Sequence, residues 1–373
     1  MKFLVLFAFA CALFTGQAVA ATIYEQVNLV SDISGLAAVT DPNLKNPWGM
    51  SFTATSPFWV SDAGTNVATL YNGAGAITSL VVSIPGAVPT GQVANPTTGF
   101  TLTPGNPARF IFAAIDGSIS GWNPTVNATN AIVKVLASAN NVYTGLALAN
   151  DGVITFLYAA NFKTARIDVY DSNFALTTLG GNFTDPTLPA GYAPFNIEVV
   201  GDNLYVQYAK VSVTGEDDPG PGNGFVSVFD TNGNFMRRLI SRGSLNSPWG
   251  VALAPAGFGD FSNDLLVGNF GDGRINAFNP TTGAFLGLLS DSSGNPIEID
   301  GLRSLKVRPT GPSVDPNRVY FTAGINDEAN GLFGALAASS QSPAATPQPS
   351  TMVMLAIGLV TGALATVRRR WVR

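Results

Sequence analysis

The chain has 373 residues, of which 46% are hydrophobic and 12% are charged, and its formal net charge is −5. It contains no histidine and one cysteine, which excludes Ser-His-Asp and Cys-His catalysis, imidazole bases and histidine-ligated zinc, copper or haem. The acidic balance argues against nucleic acid as a partner. Without histidine or a mature-chain cysteine, carboxylate or lysine chemistry stays open, with or without a metal.

The N-terminus is typical of a secretory signal peptide. The apolar run Phe3–Phe14 follows a single lysine, and Ala18 and Ala20 form an A-x-A cleavage site. We therefore expect residues 1–20 to be removed and the rest of the chain to be exported. The single cysteine, Cys11, lies in this segment, so the mature chain has no disulfide and must be stabilised by a large core.

Residues 21–338 read as one domain built from repeats. "WGMSFTATSPFWVSDAGTNVATLYNG" begins at Trp48, and "WGVALAPAGFGDFSNDLLVGNFGDGRINAFNP" begins at Trp249. Both contain a short apolar strand, a loop, a second strand, a turn of Gly, Asp and Asn, and a third strand. Similar units begin near positions 98, 145, 195 and 301. Six units of about 50 residues predict an all-β fold, a six-bladed β-propeller with four-stranded antiparallel blades. A solenoid of stacked repeats is the alternative.

The two ends of this domain complement each other. The sixth unit supplies only three strands, and the strand-like segment Ile23–Val30 precedes the first unit without a blade of its own. If this N-terminal strand completes the last blade, the ring closes and no strand edge is left exposed. This match favours the propeller over the solenoid.

We expect the functional site at one mouth of the central channel. The loops between second and third strands lie on the face where each first strand begins, so six loops meet there. Their polar side chains, with one arginine from the start of blade six, are the candidate ligand-binding residues: Asp62, Asp116, Asn161, Lys163, Lys210, Asn269, Asp272, Arg303, Asn326 and Asp327. Blade four adds the longest insertion, residues 213–224, which includes three consecutive acidic residues.

Four of these residues, Asp62, Asp116, Asn269 and Asp327, are also candidate metal ligands. Oxygen-bearing side chains suit a hard cation such as Ca²⁺, which takes about six to eight oxygen ligands. The alternative is that Asp, Asn and Gly occur here because tight turns require them. "GEDDPGPGNG" in blade four does not match the spacing of an EF-hand loop. Ca²⁺ is therefore a possible cofactor, and no other is indicated.

The tryptophans are the candidate aromatic contacts. Trp48, Trp59, Trp122 and Trp249 offer flat apolar faces to a sugar, but most of them recur at equivalent positions of the repeat. Recurrence at equivalent positions indicates packing between blades.

The C-terminal part contains three short segments. Residues 339–351 are rich in Pro, Ser and Ala and read as an extended spacer. Met352–Val367 carries no charge and reads as a short transmembrane helix, about 24 Å long against a hydrocarbon core of about 30 Å. Residues 368–373 form a basic cytoplasmic end, which leaves the body outside the membrane. A permanent single-span anchor and a removable sorting signal are both compatible with this layout.

The tail as a whole resembles the PEP-CTERM sorting signal of Gram-negative bacteria, which exosortase recognises and cuts. A proline motif is followed by the short helix and then by an arginine cluster. The motif is Pro347, Gln348, Pro349, Ser350 and Thr351, and the cluster is Arg368, Arg369 and Arg370. Gln348 stands where that family has glutamate. The resemblance implies sorting to the cell surface, transient anchoring in the envelope, exosortase as processing partner, and a host that makes exopolysaccharide.

The body also resembles a known family. "DPNLKNPWGMSF", "PFWVSDAGT", "YAPFNIE" and "YFTAGINDEANGLFG" are similar to motifs of exported bacterial proteins of unassigned function that carry NHL-like propellers. The match covers Asn28–Leu336 and implies no catalytic residue.

Three functions therefore remain open. The first is a non-enzymatic binding or matrix protein, whose partner is exopolysaccharide or an envelope protein. The second is a Ca²⁺-dependent hydrolase of the lactonase type, which would use the candidate metal ligands. The third is a purely structural matrix protein. All three place the protein outside the cell, with no nucleic acid as partner and membrane contact only through the tail.

Overall fold

The computed structural model describes residues 22–86 and 88–340. The predicted signal peptide, transmembrane helix and basic end, with their processing residues, lie outside this range, as does nearly all of the spacer. Predictions about these segments stay predictions. Among the described residues, no helix has the length and hydropathy needed to cross a membrane. Residues Ile23–Ser339 form one compact unit.

The described residues are almost entirely in strands and turns. A single 3-10 helix, Gly259–Phe261, interrupts them. In chain order the strands are β1 (Thr22–Ser31), β2 (Val39–Thr40), β3 (Pro47–Ser51), β4 (Phe58–Asp62), β5 (Val67–Tyr71), β6 (Val82–Ser83), β7 (Pro89–Ala94), β8 (Thr101–Thr103), β9 (Asn106–Pro107), β10 (Phe110–Ala114), β11 (Ile119–Trp122), β12 (Ile132–Val135), β13 (Tyr143–Asn150), β14 (Thr155–Asn161), β15 (Arg166–Tyr170), β16 (Leu176–Thr177), β17 (Tyr192–Val200), β18 (Asn203–Lys210), β19 (Gly224–Phe229), β20 (Phe235–Ser241), β21 (Pro248–Leu253), β22 (Leu265–Asn269), β23 (Ile275–Phe278), β24 (Phe285–Leu288), β25 (Leu302–Val307), β26 (Arg318–Ala323) and β27 (Leu332–Ser340).

The strands form six blades, which confirms the predicted fold. Blade one contains β3–β6, blade two contains β7 and β10–β12, and blades three, four and five contain β13–β16, β17–β20 and β21–β24. Blade six contains β25–β27 and β1. The first strands of successive blades contact one another, and the contact between β25 and β3 closes the ring. These six strands therefore line a central channel.

Blade six closes the ring with the N-terminal strand, as predicted. β1 lies beside β27, and the short strand β2 adds to β1 in parallel. Leu29 and Val30 of β1 are buried, and the Ser31 hydroxyl donates a hydrogen bond of 2.8 Å to the carbonyl oxygen of Gly331. The carboxylate of Asp32 accepts hydrogen bonds from the Asn330 side chain and the Gly331 amide. The two ends of the domain are thus joined by side chains as well as by the sheet.

Blade two does not begin where the repeat predicts. Its first strand is β7, which carries Thr90-Gly91, whereas position 98 lies in the connection that leads to the inserted hairpin β8–β9. A Cβ atom on Gly91 would lie 2.4 Å from the backbone nitrogen of Leu146 in the next blade. Glycine is therefore needed where β7 contacts β13. The predicted start was wrong because Thr-Gly occurs twice within ten residues.

The core is divided among the spaces between neighbouring blades. Between blades one and two, Trp59 stacks on Phe110 with ring centroids 4.1 Å apart, and Trp122 lies 4.7 Å from Trp59. Both tryptophans are buried. The structure therefore places Trp59 and Trp122 in the core, as their recurrence in the repeat indicates.

Candidate functional site

The loops between second and third strands meet at one mouth of the channel, but apolar side chains occupy its centre. This upper mouth is the end of the channel where the six first strands begin. In five blades, the residue that follows the second strand belongs to one cluster with two tryptophans and a phenylalanine. These residues are Ala63, Ile115, Phe162, Val211 and Phe270, with Trp48, Phe195 and Trp249. An aromatic plug, not a ring of oxygen atoms, therefore fills the upper mouth.

Hydrogen bonds and ring contacts hold the plug in place. The Trp48 and Trp249 rings meet edge to face with centroids 6.3 Å apart, and Trp48 meets Phe195 in the same way. The Trp249 indole donates a hydrogen bond of 3.1 Å to the carbonyl oxygen of Thr144, which joins blade five to blade three across the channel. These aromatic side chains thus connect blades that are not neighbours.

Asn161 and Asn269, two predicted ligand residues at the ends of second strands, are fully buried. Asn161 accepts hydrogen bonds from the backbone amides of Val142 and Thr164. Asn269 donates a hydrogen bond of 2.8 Å to the carbonyl oxygen of Ser244. Asn161 therefore supports its own turn and the loop that enters β13, whereas Asn269 supports the loop that enters β21, as asparagine commonly does in tight loops.

Asp62 occupies the equivalent position in blade one. One oxygen accepts a hydrogen bond of 2.7 Å from the Thr69 hydroxyl, and the other is buried without a partner. Burial raises the pKa of Asp62 well above its usual range, and the nearby Asp41 carboxyl raises it further. These surroundings favour a neutral carboxylic acid, whereas a calcium ligand must be ionised.

The other predicted site residues are dispersed around the rim of the upper mouth. Lys163 donates to the carbonyl oxygen of Ala139, and Lys210 pairs with Asp218. Asp116 and Asp272 lie in turns, where their carboxylates accept hydrogen bonds from backbone amides two residues further along the chain. Asn326 and Asp327 are exposed at a loop tip and have positive φ angles. In the part of the chain that the structure describes, no three Asp, Glu, His or Cys side chains are grouped closely enough to hold a metal ion.

Arg303 is the predicted site residue that points into the plug. Its Cζ lies 3.6 Å from the ring centroids of both Trp48 and Phe270, and the guanidinium donates to the carboxylate of Glu328. Burial lowers the pKa of Arg303 to about 10, and the negative charges of Glu328 and Asp217 oppose that change. The arginine is thus enclosed on both faces by aromatic rings, and its edge atoms Nε and Nη1 have no hydrogen-bond partner.

The lower mouth, where the six first strands end, is open. Two small cavities of about 190 and 200 Å³ lie there, and Glu198 of β17 and Lys306 of β25 line both of them. The Lys306 ammonium and the Glu198 carboxylate form an ion pair between blades six and four. Their side chains are about one-fifth exposed. The pair thus lies between the two cavities and separates them.

Polar and apolar side chains alternate around the lower mouth. Gln92 donates to the carbonyl oxygens of Gly49 and Trp59, and its own side-chain oxygen is buried without a partner. The hydroxyl of Ser51 is also buried and unpaired. Leu146 and neighbouring apolar residues form the remaining wall. Both unpaired atoms are shielded from solvent, so the polar groups that a ligand at this mouth can reach are the partly exposed Glu198 and Lys306.

Sequence reasoning missed this lower site, although a signal for it exists. The six first strands carry three charged side chains: Glu198, Arg303 and Lys306. Charged residues in the innermost strands of a propeller must be paired or lie at a mouth of the channel, because burial of an isolated charge is costly. Once the first strands are identified, these three residues become the strongest candidates.

Comparison with known proteins identifies relatives but gives no activity. No family model matches the chain. Two uncharacterised proteins of Acanthamoeba polyphaga mimivirus are each 35% identical to it, over 325 residues (83% of this chain and 78% of the relative) and 327 residues (83% and 84%).

Solved structures with similar folds cover 85% of this chain at 10% identity. A streptogramin B lyase, of which 98% is covered, superposes with a TM-score of 0.51, and the soluble aldose sugar dehydrogenase of Escherichia coli, covered completely, superposes with a TM-score of 0.53. At this identity the likeness concerns the fold alone. The chain belongs to the same family as the two mimivirus proteins, and its body is a six-bladed β-propeller.

Proposed function

We propose that the protein is a non-enzymatic binding propeller that holds a polar group of an exopolysaccharide in its lower mouth. The observation that carries this proposal is the Glu198–Lys306 ion pair in an open mouth, next to two cavities. The opposite mouth, in contrast, is filled by aromatic side chains.

The size and chemistry of the lower mouth suit one sugar unit at a time. Pockets for drug-sized ligands measure roughly 300–1,000 Å³, and each cavity here is smaller. Sugar hydroxyls both donate and accept hydrogen bonds, so the Glu198 carboxylate can accept from them and the Lys306 ammonium can donate to them. The apolar wall at Leu146 can cover the C–H face of the ring.

The Ca²⁺-dependent hydrolase has less support. Asp62 and Asn269 are fully buried, and Asp327 lies on an exposed loop tip. The described residues provide no cluster of acidic ligands. A structural role without a ligand would leave the two cavities beside the ion pair without a function.

Export and surface sorting are part of the same proposal. Their support is the N-terminal A-x-A site and the tail that resembles a PEP-CTERM signal. We propose that exosortase processes the tail after the chain crosses the membrane. Expression in a Gram-negative host with and without its exosortase tests this, because intact-mass analysis of the surface protein then shows whether the tail is lost only when exosortase is present.

Equilibrium binding tests the site itself. We expect methyl glucoside, methyl N-acetylglucosaminide or methyl glucuronide to bind the protein in calorimetric titrations, and Glu198→Gln and Lys306→Met each to weaken that binding at least fivefold. Lys163→Met is the matched control, because Lys163 is exposed at the upper mouth. If all three variants bind as the native protein does, the site lies elsewhere.

A further inference from the structure

The outer edge of blade three is only partly covered by its own outer strand. β16 has two residues, and it pairs with β15 at Val169 and Tyr170 only. The first three residues of β15, Arg166 to Asp168, pair with β14 on their inner side. In the part of the chain that the structure describes, no strand is assigned to their outer side.

The other blades show what is missing. In blades one, two, four and five, backbone hydrogen bonds extend the outer part of the blade to the beginning of the third strand. In each case a backbone N–H of the outer segment donates to a carbonyl oxygen at or just before the start of the third strand. The pairs are Ile84 with Asn66, Ser138 with Asp116, Arg242 with Gly224, and Leu289 with Ile275. In blade three the chain turns away instead, since Gly181 and Phe183 bond to residues 232 and 233 of blade four.

A groove occupies the place of the missing strand. It has a volume of about 530 Å³ and lies between Arg166–Val169 on one side and residues 176–183 on the other. Leu176 is largely exposed beside it. The groove therefore combines a strand edge with apolar side chains, the two features by which extended peptides are bound in strand addition.

The charge of the groove restricts its occupant. Arg166 is 56% exposed, and its Nε atom bonds to Asp168 at 2.6 Å. Asp168 is buried, and its other oxygen accepts hydrogen bonds from Tyr143 and Asn161. The other guanidinium nitrogens of the partly exposed Arg166 can donate to a second carboxylate at the rim of the groove.

We propose that this groove binds an extended segment of a partner protein, which adds to β15 as the missing outer strand and pairs an acidic side chain with Arg166. Backbone hydrogen bonds to Arg166–Asp168 would provide the affinity. Apolar side chains on one face of the segment would contact the wall formed by residues 176–183. This proposal is independent of the sugar site, which lies at the channel mouth.

A model peptide tests the proposal with the full-length chain. The probe is the fluorescently labelled hexapeptide Thr-Val-Glu-Val-Thr-Val, measured by anisotropy, with hydrogen exchange at residues 166–168 as the local readout. We expect binding that protects these amides, and an analogue N-methylated at alternate residues should fail to bind. Arg166→Ala should weaken binding about three- to fivefold, the range of an exposed ion pair.

Arg237→Ala is the matched control, because Arg237 is an exposed arginine on the outer strand of blade four. Three results would overturn the proposal: equal binding of the N-methylated analogue, protection in the free protein of the amide among residues 166–168 that faces away from β14, or no binding of the peptide at 1 mM.

Discussion

Burial and hydrogen bonding together determine the ionisation of individual carboxyl groups in this propeller. Asp62 has no exposed surface, and burial raises its pKa, while hydrogen bonds from Thr69 act in the opposite direction. Asp185 is equally inaccessible, but hydrogen bonds from Ser227, Thr187 and Arg238 outweigh the effect of burial and hold its pKa below the usual range. The pKa values of two buried carboxyl groups in one fold are thus shifted in opposite directions.

The first prediction concerns Asp62. In the unfolded chain this carboxyl ionises near its ordinary pKa of about 3.9, whereas the folded protein favours the protonated acid. The free energy of unfolding should therefore decrease as pH rises from about 4 through the folded-state pKa. Asp62→Asn removes this dependence, so we expect it to be at least as stable as the native protein at pH 7, as measured by urea unfolding between pH 4 and pH 8.

Asp185→Asn is the control with the opposite sign. Because the folded-state pKa of Asp185 is lowered, its contribution is present at neutral pH and is lost as pH falls through that pKa. We expect this variant to lose about 1–3 kcal/mol at pH 7. A large loss of stability in Asp62→Asn at pH 7 would contradict the assignment of a neutral acid.

The second prediction concerns Arg303. Glu328→Gln leaves this buried guanidinium without its ion-pair partner, and we expect a loss of about 1–3 kcal/mol in unfolding free energy. Adding Arg303→Met to that variant should restore part of the loss, because methionine can fill the space between Trp48 and Phe270 without a charge. A double variant less stable than Glu328→Gln would show that the aromatic contacts of Arg303 outweigh its desolvation.

At the scale of elements, β1 decides whether the ring is closed. Its residues Leu29 and Val30 pack in one cluster with Tyr71 of blade one and Phe333 of blade six. The chain has a single cysteine and cannot form an internal disulfide, so this strand and its hydrogen bonds at Ser31 and Asp32 join the two ends.

The third prediction follows from this closure. Leu29→Ala should cost about 2–5 kcal/mol in the free energy of unfolding, as expected for a large side chain removed from a core. Glu25→Ala in the same strand should change it by less than about 0.5 kcal/mol, since Glu25 is exposed. Equal effects of the two substitutions, measured by denaturant unfolding, would mean that β1 does not contribute to the core of blade six.

The elements also show what sequence patterns can and cannot predict. The repeat of apolar strands and Gly/Asp/Asn turns predicts six blades because each strand has the same packing requirement. It predicts that the second-to-third loops meet at one mouth, but not that Phe162, rather than Asn161, points to the axis. That choice depends on the twist of each blade. The partnership of Glu198 with Lys306 depends on ring closure, since the two residues are 108 positions apart.

At the scale of the whole molecule, the two mouths of the channel differ in the side chains that occupy them. The upper mouth is closed by the aromatic plug and Arg303, which connect blades across the axis. The lower mouth is open and contains the Glu198–Lys306 pair. This asymmetry is the basis for placing the ligand at the lower mouth.

The fourth prediction is that Ca²⁺ does not bind the folded body. The described residues offer no acidic cluster, so the thermal unfolding midpoint should be the same in EDTA and in excess Ca²⁺. A ligand at a hundredfold excess over its dissociation constant would add about 2.7 kcal/mol and raise the midpoint measurably. A saturable rise that Asp327→Asn abolishes would instead support the metal-dependent alternative.

The most direct test of the account is NMR mapping of the sugar site. On titration with the methyl glycosides, we predict that the amide resonances of Glu198, Lys306 and Gln92 shift in a saturable manner, whereas those of Phe162 and Phe270 at the upper mouth do not. Shifts confined to the upper mouth would contradict the proposed site, and the absence of shifts at both mouths would contradict the proposed function.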